Sequence, residues 1–176
     1  MILSVEKAKS LIDFNGWTDE KIEMKLKAVE QTIRAYTNNN FQKRTHRRTA
    51  DIVGGLFVVE ALNSFDIGDT VQISESALNG GLYTVTTADD TAFTVLEDVE
   101  DEDNVLCTKV EYPADVIDCA VNLLEWEVRN RGKVGIQSET LSRHSVTYFN
   151  MDGDNSVMGY PKSLIGCLKP YKKARC

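Results

Sequence analysis

The chain has 176 residues, of which 42% are hydrophobic and 27% are charged, and its formal net charge is −7. This length suits one globular domain, or a small domain that carries an insertion, and the composition is not that of a disordered chain. The negative charge argues against tight non-specific binding to nucleic acid, and no apolar run approaches the roughly 18 residues of a membrane span.

The first forty residues predict two helices. Residues 4–12 form the first, with Ser4 as its N-cap, and Asn15-Gly16 ends it. Thr18 caps a longer second helix, which Asn38-Asn39-Asn40 stops. Apolar residues recur in it at steps of four and three, at Ile22, Leu26, Val29, Ile33 and Tyr36. The opening lacks the apolar stretch of a signal peptide, so we expect a protein made in the cytoplasm.

From about residue 49 the pattern becomes strand-like. Short runs rich in β-branched and aromatic residues occur at 52–59, 70–73, 82–86, 92–96 and 105–110. Turn-forming residues separate them, and the acidic stretch 97–103 is expected to be a solvated loop between the last two strands. Short strands at regular spacing predict a small barrel or sandwich of about sixty residues.

Helical patterning returns at Tyr112-Pro113 and lasts until Gly132. Apolar residues cover more than one face there, which predicts the most buried helix of the chain. Residues 133–150 are expected to form a long loop or hairpin, and a short helix at 162–168 precedes a basic tail. The predicted fold class is therefore mainly α: a small bundle of three to four helices, with a β module inserted at 46–111 between helical parts at 1–45 and 112–176.

Cysteines and histidines give no sign of a metal or catalytic site. The four cysteines contain no CxxC pair, which disfavours structural zinc and favours reduced, mostly buried thiols. Only His46 and His144 could act as a histidine base, and neither lies in a recognisable nucleophile motif. The chain also lacks a glycine-rich phosphate loop and the spacing of a calcium loop. We therefore expect no enzyme, no cofactor and no metal.

Both ends of the chain resemble a known family. The segments that carry the resemblance are KSLI at 9–12, residues 18–41 ending in IRAYTNNNF, YPADV at 112–116, GIQSETLSRHSVTY at 135–148, YPKSL at 160–164 and LKPYKKAR at 168–175. In order and separation they are similar to those of tailed-phage head–tail connector proteins, also called head-completion or adaptor proteins. The resemblance covers about 1–45 and 112–176, and the β module at 46–111 departs from it.

The resemblance implies a structural virion protein at the phage neck. It would form a dodecameric ring beneath the portal protein at the capsid vertex, join it to the tail or stopper protein, and extend the channel through which genomic DNA passes without specific binding. No membrane is involved. The portal-binding residues implied are Leu164, Leu168, Lys169, Tyr171, Lys172, Lys173 and Arg175. The loop facing the channel or the next neck protein would contain Gly135, Ser138, Glu139, Arg143, His144 and Tyr148.

Two alternatives remain beside this reading, with an enzyme as a remote third. The first is another neck or tail-completion component, such as the stopper, although stoppers are expected to be mainly β. The second is a nucleic-acid-binding module built on the small barrel. Between Asp51 and Asp103 there is no Lys or Arg, so the module lacks the cationic surface that nucleic acid requires.

Overall fold

The computed structural model describes residues 1–133, 138–141, 144–147 and 154–174, with the backbone alone at 133, 138–141 and 144–147. The chain divides into two compact units. Residue 1 and residues 40–112 form the barrel unit, while residues 2–39 and 113–176 form the helical unit. In chain order the elements are α1 (Val5–Leu11), α2 (Asp19–Thr37), β1 (Gln42–Val53), β2 (Leu56–Val59), β3 (Thr70–Ser74), β4 (Gly81–Ala88), β5 (Ala92–Val95), β6 (Glu102–Val110), α3 (Ala114–Asn130), β7 (Ser138–Leu141), β8 (His144–Thr147), β9 (Ser156–Val157), β10 (Tyr160–Pro161) and α4 (Lys162–Ile165).

The predicted N-caps of the first two helices are confirmed, and so is the apolar stripe of α2 from Ile22 to Ile33, whereas Tyr36 is only half-buried. Ser4 accepts a hydrogen bond from the backbone N–H of Lys7, and Thr18 accepts one from Lys21. The stripe of α2 packs against α3, and α4 with the 3₁₀ turn Gly166–Tyr171 completes the packing. The core of the helical unit includes Ala8, Ile22, Leu26, Val29, Ile33, Val116, Ala120, Leu123, Leu124, Ile165 and Leu168.

The barrel unit is a closed, antiparallel barrel of six strands in the order β1-β2-β5-β4-β3-β6. In β2 the buried Phe57 and Val59 alternate with exposed residues, as expected for a strand with one face in a core. The ring of Phe93 stacks on Phe57 at 4.6 Å and meets the edge of Phe65 at 5.0 Å. The rest of the core is Ala50, Ile52, Val59, Val71, Ile73, Val85, Val105 and Cys107.

The two ends of the barrel unit meet. The rings of Phe41 and Tyr112 are 4.9 Å apart, and the backbone N–H of Glu111 donates to the carbonyl of Phe41. The first and last strands, β1 and β6, are paired along most of their length. The two ends of residues 40–112 are therefore neighbours, and contacts among the unit's own residues hold them together.

The expectation of a mainly α protein is wrong, because the barrel is larger than the sequence pattern suggested and makes the chain sheet-rich. Strand β1 begins at Gln42, so the basic run 43–48 lies within a strand instead of a linker. Its pairing with β6, where Arg47 faces Thr108 and Arg48 faces Cys107, forms sheet from residues with little strand propensity of their own.

Two smaller expectations also need correction. The run 52–59 is two strands, because Gly54 and Gly55 adopt positive φ angles of 58° and 80° and turn the chain between β1 and β2. The thiols are not all reduced, since Cys119 and Cys167 form a disulfide that joins α3 to the 3₁₀ turn near the C-terminus. The sequence separation of 48 residues hid this pair from a search for short cysteine motifs.

Candidate functional site

The basic C-terminal segment, residues 162–174, is attached to the helical unit along its length. Ile165 and Leu168 are fully buried. The backbone N–H of Lys173 donates to the carbonyl of Thr37 at 2.8 Å, so the segment passes the C-terminal end of α2. The Tyr171 hydroxyl donates to the carboxylate of Asp115 at 2.6 Å. Because contacts reach from residue 165 to residue 173, this segment is an ordered part of the unit.

The asparagines that end α2 are part of this attachment. The side-chain amide of Asn38 donates to the carbonyl of Ala174 at 2.9 Å, and that of Asn39 donates to the carbonyl of Tyr171 at 3.2 Å. Asn38 itself adopts a left-handed conformation, with φ of 49°. Asparagine tolerates this conformation better than most residues, which explains its place at the end of α2. Asn38 and Asn39 therefore follow the end of the helix and also bind the C-terminal segment.

The lysines of the segment point to solvent. Lys169, Lys172 and Lys173 are all exposed, and the Lys172 ammonium lies 3.8 Å from the centre of the Tyr36 ring. A cation over an aromatic face is attracted to the ring and restricts the side chain. Residues 156–176 contain five Lys or Arg and no Asp or Glu. The segment thus presents a fixed cationic surface, which we call the lysine surface and define by Lys169, Lys172 and Lys173.

A buried carboxylate, Glu127 on α3, connects three parts of the helical unit. Its side chain is only 2% exposed and lies 3.0 Å from the Lys25 ammonium of α2. It also accepts from the Arg131 guanidinium, which lies over the rings of Trp126 and Tyr160 at 4.8 and 5.2 Å. Burial alone would raise the pKa of Glu127, but the hydrogen bonds from Arg131 and Lys25 outweigh it and lower that pKa to about 2.

This cluster fixes the region where the chain returns to the C-terminal segment. Arg131 donates to the carbonyl of Gly159, in the turn between β9 and β10. Burial, then the charge of Glu127, raises the pKa of the Tyr160 hydroxyl well above its usual range. Glu127 is therefore ionised and Tyr160 neutral at physiological pH, and the cluster is structural. The sequence pattern did not predict this cluster, because its residues lie far apart in the chain.

The residues implied by the family resemblance divide into three groups. Leu168 is fully buried and Leu164 and Tyr171 are half-buried, so the apolar residues serve the packing of their own unit, while the three lysines are exposed. Ser138 and Glu139 lie in β7 and His144 lies in β8, which pair as a hairpin. Gly135, Arg143, Tyr148 and Arg175 lie outside the described residues.

The barrel unit carries the opposite charge. Residues 51–103 contain thirteen carboxylates and no Lys or Arg. One of them, Glu102, accepts from the Ser76 hydroxyl, from the backbone N–H groups of Ala77 and Leu78, and from the Asn79 amide, all within 3.3 Å. These bonds, led by that from Ser76, lower the pKa of Glu102 to about 2. The carboxylate therefore organises a loop.

The described ranges contain no group of three or more His, Cys, Asp and Glu residues that could hold a metal ion. His46 contacts the carbonyl of Ser64 through Nδ1 at 3.0 Å, a structural role. None of the helices that the structure describes is long and apolar enough to cross a bilayer. No family model matches the chain, and no curated protein is significantly similar to it in sequence.

Proposed function

We propose that this chain is a structural subunit of the neck of a tailed phage. It forms a ring with copies of itself, joins the portal to the tail or stopper, and extends the channel for genomic DNA without catalysis. The observation that carries the proposal is the lysine surface, held on a folded helical unit by Lys173, Tyr171 and the asparagines at the end of α2.

A fixed cationic surface suits docking on another protein of the particle. Its lysines lose less conformational freedom on binding than those of a free tail, because the backbone is already ordered. Opposite charges also speed the encounter of two large assemblies. Ile165 and Leu168 are buried in the core of the helical unit, and their packing holds the segment that carries the lysine surface. On this reading the portal contributes carboxylates to the interface, and the lysines make the contact.

The acidic character of the barrel unit supports the same proposal over nucleic-acid binding. Residues 51–103 would repel DNA phosphates, which suits a protein beside a channel through which DNA must slide. A nucleic-acid-binding module needs the reverse charge. The six-stranded barrel favours the stopper alternative, because stoppers are expected to be mainly β, whereas the lysine surface of the helical unit favours the adaptor role.

The experiment is electron microscopy and native mass spectrometry of the chain mixed with the portal of its phage. We expect a stacked ring on the portal, lost when Lys169, Lys172 and Lys173 are all changed to Glu. The matched control changes three exposed lysines of the first two helices, Lys7, Lys21 and Lys27, to Glu. Removing the whole segment would be a poor test, because it also removes Ile165 and Leu168 from the core.

The control variant should still bind the portal, because its charge change is equal but lies elsewhere. Equal loss in both triple variants would indicate general electrostatic attraction and refute the assignment of the lysine surface. A chain that forms no ring with its portal at any salt concentration would refute the neck function itself.

A further inference from the structure

The hairpin between β1 and β2 carries an apolar surface on the outside of the barrel. Val53 and Leu56 are directly opposite each other in the register, and Val58 follows on the same face. Leu96 comes two residues after Thr94, the residue opposite Leu56 on β5. The exposed fraction is 59% for Val53, 40% for Leu56, 43% for Val58 and 70% for Leu96. We call them the hairpin patch.

The barrel core does not need these side chains. Ile52, Phe57 and Val59 alternate with them along the same strands and are buried, so the inner face is already filled. The outer face of a solvated antiparallel sheet usually carries polar residues. Four neighbouring aliphatic side chains there form a cluster of the kind found at the centre of protein interfaces. A scattered single exposed residue would carry no such implication.

Carboxylates surround the patch. Asp51 is opposite Val58 in the register, and Asp101 accepts from the backbone N–H of Gly54 in the hairpin turn at 2.6 Å. Glu97 follows Leu96 and accepts from the backbone N–H of Thr84 at 3.0 Å. These bonds place the acidic groups at the margin of the apolar cluster. Since residues 51–103 contain no Lys or Arg, no cation of this stretch neutralises them.

The carboxylates around the patch determine which charge a binding partner must carry. Phosphates of nucleic acid and anionic lipid head groups would be repelled, whereas a protein segment with Lys or Arg beside its apolar residues would be attracted. The sheet is closed into a barrel, so it offers no free strand edge for a peptide to extend. Recognition must therefore occur through side chains on the outer face.

We propose that the hairpin patch is a docking site for an apolar segment of a different protein, flanked by Lys or Arg. The carboxylates steer and orient the segment, and burial of its apolar residues against Val53, Leu56, Val58 and Leu96 supplies most of the affinity. This inference stands on the barrel unit alone and does not depend on the neck function.

The test is a titration of the ¹⁵N-labelled full chain, followed by NMR, with the synthetic peptide KKLVLVKK. A second peptide of equal charge, KKSGSGKK, is the matched control. We expect amide shifts confined to residues 51–60 and 94–101 with the first peptide, and at least tenfold weaker binding of the second. The double variant Leu56→Thr and Val58→Thr should weaken binding of the first peptide about tenfold.

The variant needs its own control. Leu78→Thr removes a leucine that is 65% exposed, more than Leu56 or Val58, from a loop outside the patch and should leave binding unchanged. The amide spectrum of the remaining strands shows whether each variant is folded. Threonine suits an exposed strand position, so the barrel should tolerate both changes.

Three results would overturn the proposal. Equal binding of the two peptides would leave only charge attraction and no apolar site. Binding of the first peptide that survives in the double variant would locate its site elsewhere. Self-association of the peptide-free chain in sedimentation, lost in the double variant but retained in Leu78→Thr, would assign the patch to a second copy of this chain instead of a different protein.

Discussion

Replacing Glu127 by Gln tests the buried ionic cluster of the helical unit. In the folded chain the pKa of Glu127 falls from its ordinary 4.5 to about 2, which corresponds to about 3 kcal/mol in favour of the charged form. The substitution keeps the shape of the side chain and removes its charge. Arg131 and Lys25 are 39% and 29% exposed, so water still solvates them in the variant. We therefore expect a loss of about 2–3 kcal/mol, at or below the lower end for broken buried pairs.

Tryptophan fluorescence during urea unfolding is the appropriate assay. The chain has two tryptophans, Trp17 and Trp126, and both belong to the helical unit. The signal therefore reports this unit and not the barrel. The matched control is Glu125→Gln, which removes a carboxylate two residues away that faces the exposed Arg129 at 3.7 Å. An exposed pair contributes little, so we expect a change below about 0.5 kcal/mol in the control.

The pH dependence gives a second, independent check. Glu127 has a lowered pKa in the folded state, so its contribution is fully present above about pH 4.5 and is lost as the pH falls towards 2. The stability difference between the wild type and Glu127→Gln should shrink across that window. A difference that stays constant with pH, or a Glu127→Gln cost no larger than that of Glu125→Gln at pH 7, would refute the reasoning.

Three further outcomes are expected. Burial raises the pKa of the Cys107 thiol to about 12, so it should resist iodoacetamide at pH 8 in the folded chain and react once the chain unfolds, as peptide mass spectrometry would show. Cys119 and Cys167 should stay unlabelled in denaturant until a reductant is added; labelling without reductant would contradict the disulfide. Phe93→Ala should destabilise the barrel by about 3–5 kcal/mol, measured as lost hydrogen-exchange protection of its strands, because it removes the ring stacked on Phe57.

Local signals predicted the helices well. Helix α2 is the clearest case. Its N-cap Thr18, its apolar stripe from Ile22 to Ile33 and its C-cap Asn38 all lie within about twenty residues of sequence, so local pattern was enough to predict it. The start of β1 was missed because its information lies elsewhere. Residues 43–48 look like a polar linker in isolation, and only their pairing with β6, some sixty residues later, makes them a strand. Long-range pairing is the part of a fold that periodicity cannot reveal.

The candidate site shows the same division. The sequence identified the cationic residues 169–173, but it could not show that Leu168 would be buried in the core of its own unit. Glu127 and Arg131 look like an ordinary i,i+4 pair on a helix surface. Their importance comes from Lys25, 102 residues away, which completes the cluster in the buried interior. Burial of a charged pair by distant residues leaves no local trace in the sequence.

The lysine surface is cationic, whereas the hairpin patch is apolar and bordered by carboxylates, and this difference makes the two proposals separable. Each surface lies in a different compact unit with its own core, so changing one should leave the fold of the other intact. The triple change of Lys169, Lys172 and Lys173 to Glu should therefore abolish portal binding and still permit the apolar peptide to bind the barrel. The change of Leu56 and Val58 to Thr should do the reverse. If each variant lost both interactions, the assignment of a separate partner to each surface would fail.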